Sequence, residues 1–154
     1  PTISGTTGWL DKLNEINKLC KKKNGTFLYA SNFSLGVNIF FEINKKLAEL
    51  MKNKDYKYKI HEVHHTQKID SPSGTAITLA TQMEKILKNK EVVISSERKN
   101  DTVGTHKIIY SSELDEIEIK HTANSRDGFA LGAIIAAEWI IDKKGIYSLK
   151  DIFL

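Results

Sequence analysis

Within sixteen residues, His61-Glu62-Val63-His64-His65-Thr66-Gln67-Lys68-Ile69-Asp70-Ser71-Pro72-Ser73-Gly74-Thr75-Ala76, the chain gathers three histidines, a lysine and a Ser-Gly-Thr turn. The turn opens directly into an apolar-periodic segment, which predicts a helix starting near Ser73. A helix start presents unpaired backbone N–H groups and the positive end of the helix dipole, so it suits an anion. Lys68 adds a full positive charge nearby, and a histidine can give or take a proton near neutral pH. These residue types at this spacing point to a pocket for a carboxylated or phosphorylated small molecule, with acid chemistry beside it.

The letters His61-Glu62-Val63-His64-His65 also fit H-E-x-x-H, the signature of zinc hydrolases. That chemistry needs a helix, where histidines four apart lie about 6 Å from each other along the axis. The preceding Tyr56-Lys57-Tyr58-Lys59-Ile60 alternates aromatic and β-branched residues with lysine, which predicts a strand. Four residues of strand span roughly 13 Å, too far for one metal. The expectation is therefore no metal at this motif. The plainest alternative is ordinary strand histidines followed by an ordinary helix cap.

The elements that must position these residues can be read in order. Thr2-Ile3-Ser4 reads as the end of a strand and Gly5-Thr6-Thr7-Gly8 as a turn. Leu10, Leu13, Ile16, Leu19 and Cys20 recur at helical spacing, with Gly25 as the stop and Cys20 as a buried core thiol. Thr26 to Ala30 is the next strand, so the unit is strand–helix–strand, as in a parallel sheet covered by helices. Ligands of such sheets lie at the carboxyl ends of strands, where Gly5-Thr6-Thr7-Gly8 and Ala30-Ser31-Asn32-Phe33-Ser34 both fall.

A helix from Leu35 to about Met51 follows, with Val37, Phe40, Ile43, Leu47 and Leu50 as its apolar side. After the histidine-bearing strand, the helix beyond Thr75 carries Leu79, Ala80, Met83, Ile86 and Leu87, a core stripe. Val92 to Ile94 is a short strand, and Ser95 to Thr102 a polar stretch. His106–Ser111 and Asp115–His121 form a hairpin with one polar face, suited to solvent or a subunit interface. A small-residue helix from Phe129 to Ile141 and a mildly apolar tail close the chain. The fold class is thus α/β plus α+β: the end of a doubly wound, Rossmann-type nucleotide domain, then an α+β substrate domain with a mostly antiparallel sheet.

Composition sets bounds. At 154 residues, 40% apolar and 27% charged, the chain has the make-up of a soluble globular protein. Cys20 stands alone, so no disulfide framework or cysteine zinc site is expected, and a reducing, cytoplasmic compartment fits. No apolar run approaches a membrane span, so no membrane association is expected. The net charge of +4 is spread along the chain rather than gathered in a stripe, which argues against nucleic acid as a partner. The start on Pro1, at what reads as the last residues of a strand, is expected of the middle of a protein.

The run His64-His65-Thr66-Gln67-Lys68-Ile69-Asp70-Ser71-Pro72-Ser73-Gly74-Thr75-Ala76 resembles H-H-x-x-K-x-D-x-P-S-G-T-A, the signature of the dihydrodipicolinate reductase (4-hydroxy-tetrahydrodipicolinate reductase) family. Four more segments are similar and in the same order: Gly5-Thr6-Thr7-Gly8; Asn32-Phe33-Ser34 with Gly36-Val37-Asn38; Arg98 through Gly104 to His106; and His121 through Ser125-Arg126 to Phe129. The resemblance implies an oxidoreductase of diaminopimelate and lysine biosynthesis that uses NADH or NADPH to reduce a cyclic dicarboxylate, 4-hydroxy-tetrahydrodipicolinate, to tetrahydrodipicolinate. By the same resemblance His64 is the general acid and Lys68 holds substrate and supports the proton transfer. His65, Ser73, Gly74 and Thr75 complete the substrate site. Gly5, Thr6, Thr7, Ala30, Ser31, Asn32, Phe33 and Arg126 are expected on the cofactor side.

The division that follows is residues 1–33 for the last part of the dinucleotide-binding domain and 34–126 for substrate binding and oligomerisation, as a homotetramer. Residues 127–154 are the returning helix and tail. The family's Gly-rich phosphate turn and the residue that selects NADH or NADPH are expected before Pro1. Asn100 stands where many members carry glycine, a residue that still tolerates a left-handed turn. The alternative expectation is an incomplete fragment that only binds dicarboxylates and oligomerises.

Overall fold

The computed structural model describes residues 1–6, 8–88 and 90–153. Contacts divide the chain into two compact units, Pro1–Asn38 with Arg126–Leu154, and Ile39–Ser125. The first holds a three-stranded parallel sheet and the second a four-stranded mixed sheet, so the architecture is mixed α/β.

In the first unit β1 (Thr2–Ser4) leads through a 3-10 turn (Leu10–Lys12) into α1 (Leu13–Lys22) and back to β2 (Thr26–Tyr29). α1 ends differently from the reading above. Asn24, at φ 48°, takes the left-handed position, while the Gly25 amide donates back to the Cys20 carbonyl at 2.8 Å. Both residues serve one Schellman closure, with asparagine in the place usually given to glycine. Cys20 is half-buried rather than fully buried, its thiol 3.7 Å from the Gly145 carbonyl.

The chain returns to this unit through α4 (Asp127–Trp139), a third strand, β7 (Gly145–Tyr147), and the short α5 (Lys150–Phe153). β7 pairs in parallel with β2 and was not legible in the tail; Gly145, at φ +126°, makes the entry that a side chain would strain. The core joins Leu28, Phe33, Ala136, Ile140 and Leu149. Gly132 explains the small-residue helix: a Cβ there would fall 1.8 Å from the Phe33 carbonyl oxygen.

In the second unit α2 (Leu35–Met51, beginning in the first) runs to β3 (Lys57–His64), followed by α3 (Gly74–Ile86), β4 (Val92–Arg98), β5 (Gly104–Ser111) and β6 (Glu116–Ala123). The strand order is β4-β3-β5-β6, parallel between β3 and β4 and antiparallel elsewhere. β4 is longer than its apolar letters suggest: Ser95 to Arg98 continue it, paired with His61 to His64.

Alternation puts Tyr58, Ile60, Glu62 and His64 on the buried face of β3. α3 lies on β3 and β4, and Tyr58 meets Tyr110 edge-on at 5.4 Å. The buried side of α2 is Phe40, Phe41, Asn44, Ala48 and Met51, whereas Ile43 and Leu50, expected in the stripe, are exposed. Buried Asn44 is admitted because its amide donates to the Leu79 carbonyl and to Gln82.

Candidate functional site

Strand register, not sequence proximity, assembles the site. Glu62 sits directly opposite His106 on β5 and Ser96 on β4, so the three side chains share one row on the helix-covered face. His64 and Arg98 form the next row, at the open ends of the parallel strands, with Gly104 beside them. A Cβ on Gly104 would lie 3.1 Å from His64 Nε2, so glycine makes room for this imidazole.

Glu62 is wholly buried and fully hydrogen-bonded. The Ser73 amide donates to Oε1 at 3.0 Å, the Ser96 hydroxyl donates to the same oxygen at 2.8 Å, and the Ser73 hydroxyl donates to Oε2. With that proton committed, Ser73 Oγ accepts from the Ala76 amide at 3.2 Å and from His106 Nε2 at 3.1 Å. His106 therefore carries its proton on Nε2. Burial would raise the Glu62 pKa, but the hydrogen bonds from His106, Ser73 and Ser96 outweigh it and hold the carboxyl far below its usual range.

His64 faces this carboxylate without bonding to it. Its Nδ1 lies 3.5 Å from Glu62 Oε2, buried and without a hydrogen-bond partner among the described residues. Burial pushes the imidazole down to about 4; His106, Lys68 and Arg98 act in the same direction, and Glu62 opposes them. The ligand-free imidazole is thus neutral at pH 7.

The segment after β3 returns alongside this cluster. Ser73 caps α3, and Gly74 and Thr75 are its first residues. Lys68 Nζ lies 2.7 Å from Asp70 Oδ1. That hydrogen bond, with help from the Gly74 amide, holds the Asp70 carboxyl below its usual range. The chain's own Asp70 carboxylate therefore rests between the lysine and the start of α3. The Arg98 guanidinium donates to the carbonyls of Lys68 (3.3 Å) and Asp70 (2.6 Å), fixing the loop backbone from β4. His65 begins the loop, half-buried, and its carbonyl accepts from the Lys68 amide at 3.2 Å. Asn100, at φ 40°, makes the left-handed turn beyond β4, and its carbonyl accepts from the Thr66 amide.

His64, His65, Lys68, Ser73, Gly74 and Thr75 thus fall in one unit. Glu62, Ser96 and His106 were not singled out as parts of this site, although an acidic letter at a buried position of an alternating strand was the available signal for Glu62. Because His61 to His64 are extended in β3, His61 and His65 do not share one metal as they would on a helix. Glu62, His64 and His106 do have ligand atoms within 4.8 Å of one another. They do not fit a resident metal: both Glu62 oxygens are taken, and the Arg98 guanidinium already stands 3.6 Å away.

The remaining expected residues lie in the first unit. Gly5 and Thr6 follow β1, and Ala30 to Phe33 follow β2, so both turns leave the carboxyl ends of adjacent parallel strands. The Ala30 amide donates to the Ser4 carbonyl at 3.1 Å, and a Cβ on Gly5 would meet the Phe33 ring at 3.1 Å. Phe33 itself is a core residue. Asn32 Oδ1 accepts from the Ser34 amide, closing the turn that follows Ser31 and leads into α2. Arg126 immediately precedes α4. Thr7 lies outside the described residues.

Comparison with known proteins gives consistent matches. A family model described as dihydrodipicolinate reductase, C-terminus, matches residues 36–153. A 4-hydroxy-tetrahydrodipicolinate reductase from Christiangramia forsetii is 52% identical over 99% of this chain and 69% of its own length. Proteins of the same description from Thermosipho africanus and Methanopyrus kandleri are 41% and 34% identical, each over 97% of this chain and over 66% and 61% of their lengths. The chain thus spans about two thirds of these relatives. Among solved structures, a dipicolinate-bound dihydrodipicolinate reductase from Paenisporosarcina sp. TG-14 shares the fold, with a TM-score of 0.73 at 22% identity, covering 97% of this chain and 63% of that one.

Proposed function

The chain belongs to the dihydrodipicolinate reductase family, and from that premise we propose that its Ile39–Ser125 unit holds the cyclic dicarboxylate while NADH or NADPH reduces it. The observation that carries this reading is the meeting of Lys68, His64 and the capped start of α3 within one unit. The net reaction converts 4-hydroxy-tetrahydrodipicolinate to tetrahydrodipicolinate, in amino-acid biosynthesis: the 4-hydroxyl leaves with a ring proton as water, and a double bond of the resulting dihydro ring is then reduced.

Each residue has work suited to its chemistry. The two ring carboxylates are met by Lys68 and by the first amides of α3, at Gly74 and Thr75, with His65 contributing from the loop. A substrate carboxylate enters by displacing Asp70 from Lys68. The cofactor, when bound, supplies a hydride to one ring carbon. His64 delivers the accompanying proton to the carbon left electron-rich, so hydride and proton together saturate one double bond. Lys68 supports that transfer.

The residues of the first unit fit a nicotinamide. Backbone groups at two adjacent strand ends, over a position where a Gly5 side chain would crowd Phe33, suit a flat carboxamide-bearing ring. Gly5, Thr6, Thr7 and the Ala30–Phe33 turn are the proposed contacts, with Arg126 at the return. The β1-β2-β7 sheet is accordingly assigned as the end of a doubly wound nucleotide domain, residues 1–33, closed by 127–154. Residues 34–126 are assigned to substrate and to subunit contacts. A homotetramer is proposed through the polar face of β5 and β6, where Lys107 and Glu118 pair at 3.0 Å. The single free thiol, Cys20, suits the cytoplasm. Among the described residues no helix is long and apolar enough to cross a membrane.

Calorimetric titration with pyridine-2,6-dicarboxylate, a flat mimic of the ring and both carboxylates, tests the site. Binding is expected, and Lys68→Ala is expected to weaken it by roughly 10- to 100-fold, the worth of a charged hydrogen bond. Equal affinity in both proteins would remove Lys68 from the site.

A further inference from the structure

The role proposed for His64 leaves a question that the geometry answers. A general acid must carry a proton, yet this imidazole is buried, neutral and surrounded by His106, Lys68 and Arg98. Among the described residues, one negative group faces it from the elements packed around it, the Glu62 carboxylate on the same strand, 3.5 Å from Nδ1. That nitrogen has no hydrogen-bond partner among the described residues.

We propose that Glu62 is a positioning residue for His64: its carboxylate receives the Nδ1 edge of the imidazole and, through Ser73, ties that ring to the start of α3, so that anion binding and His64 protonation occur as one event. The proposal rests on the functional reading above. Three observations carry it. Glu62 and His64 are two apart on one face of β3, which fixes the side of the ring that meets the carboxylate. Ser73, which caps α3 at the anion site, donates both its amide and its hydroxyl to Glu62, so a shift of α3 moves the carboxylate that faces His64. Glu62 accepts hydrogen bonds from Ser73 and Ser96, and Arg98 pairs with Oε1 at 3.6 Å, so that cation stands at the other oxygen from Oε2, the one that faces His64.

The sequence of charges follows. Without ligand, burial keeps His64 neutral, and the positive charges of Lys68 and Arg98 act in the same direction. A dianionic ring that engages Lys68 offsets that positive charge. The imidazole then takes one proton from solvent, with Nδ1–H donating to Glu62 Oε2 and Nε2–H left to face the ring. No oxidant or further reactant is needed, since the event is one proton and one anion bound together.

The test uses this chain, pyridine-2,6-dicarboxylate and two measurements. Calorimetry in buffers of different ionisation enthalpy counts protons taken up on binding, and histidine NMR follows the His64 ring with and without ligand. In the unsubstituted protein the expected result is close to one proton taken up near neutral pH, with the His64 signal moving to its protonated position. In Glu62→Gln, uptake is lost, the His64 titration moves to lower pH, and dicarboxylate affinity at pH 7 falls roughly tenfold. Glu62→Asp restores part of the uptake. Should Glu62→Gln fail to fold, Ser96→Ala serves instead. It removes one hydrogen bond from a carboxylate that stays in place, and it is expected to move the pH dependence of uptake while leaving pH 7 affinity within a few-fold. Binding without proton uptake, or uptake unchanged in the variants, overturns the inference and leaves the functional reading standing. Absence of binding in the unsubstituted protein overturns both.

Discussion

Glu62 and His64 show how two neighbouring side chains on one strand can be given opposite electrical roles. Both are buried, yet hydrogen bonds keep the carboxyl ionised whereas desolvation keeps the imidazole neutral. This has a consequence for stability that can be signed. His64 titrates near its ordinary value of 6.5 when the chain is unfolded and at about 4 when folded. Between those values the unfolded chain holds more protons, so stability falls as pH drops from 6.5 towards 4. The Glu62 contribution has the same sign further into acid: it is present above the ordinary carboxyl value of 4.5 and is lost as pH falls below it. Urea unfolding at pH 4.5 and pH 7 is expected to show a lower midpoint at the acidic value, and His64→Gln is expected to flatten that difference. A midpoint insensitive to pH in the unsubstituted protein would contradict the burial of a neutral imidazole.

The helix that begins at Gly74 could be read from local letters, because a Ser cap followed by an apolar stripe is a signal contained within a few residues. The alternation of β3 was legible for the same reason. What the letters concealed was non-local. β7 has three residues and exists because β2 offers it a parallel edge, so nothing in Gly145-Ile146-Tyr147 alone announces a strand. Ser95 to Arg98 read as polar loop, yet they extend β4 as an edge strand whose serine and arginine serve residues of β3 and its loop. Likewise α2 buries Asn44 and exposes Ile43 because Leu79 and Gln82, on another helix, provide amide partners. Ser73 joins both kinds of information, being a local cap and a distant ligand of Glu62. Ser73→Ala removes the cap and leaves a buried carboxylate oxygen short of a donor. It is expected to cost about 1–3 kcal/mol of stability, read as a drop in the urea midpoint. A loss no greater than that of an exposed serine would show that the cap and the Glu62 bond do not matter to the fold.

Across the molecule there are two units: a parallel three-stranded one with turns at its strand ends, and a mixed four-stranded one that carries His64, Lys68 and the start of α3. The family resemblance carried by the His64–Ala76 run is borne out by the comparisons over most of the chain. The register that gathers Ser96, Glu62 and His106 in one row is what the structure adds to it. The claim on which the account turns is that His64 delivers the proton. The most direct measurement is NAD(P)H oxidation with substrate by a reductase carrying this sequence, compared with its His64→Gln variant. The account predicts a kcat lower by about 10²- to 10⁴-fold, the usual worth of a positioned general acid, with pyridine-2,6-dicarboxylate affinity changed far less. Turnover within a few-fold of the unsubstituted enzyme would contradict it and move the acid to another residue.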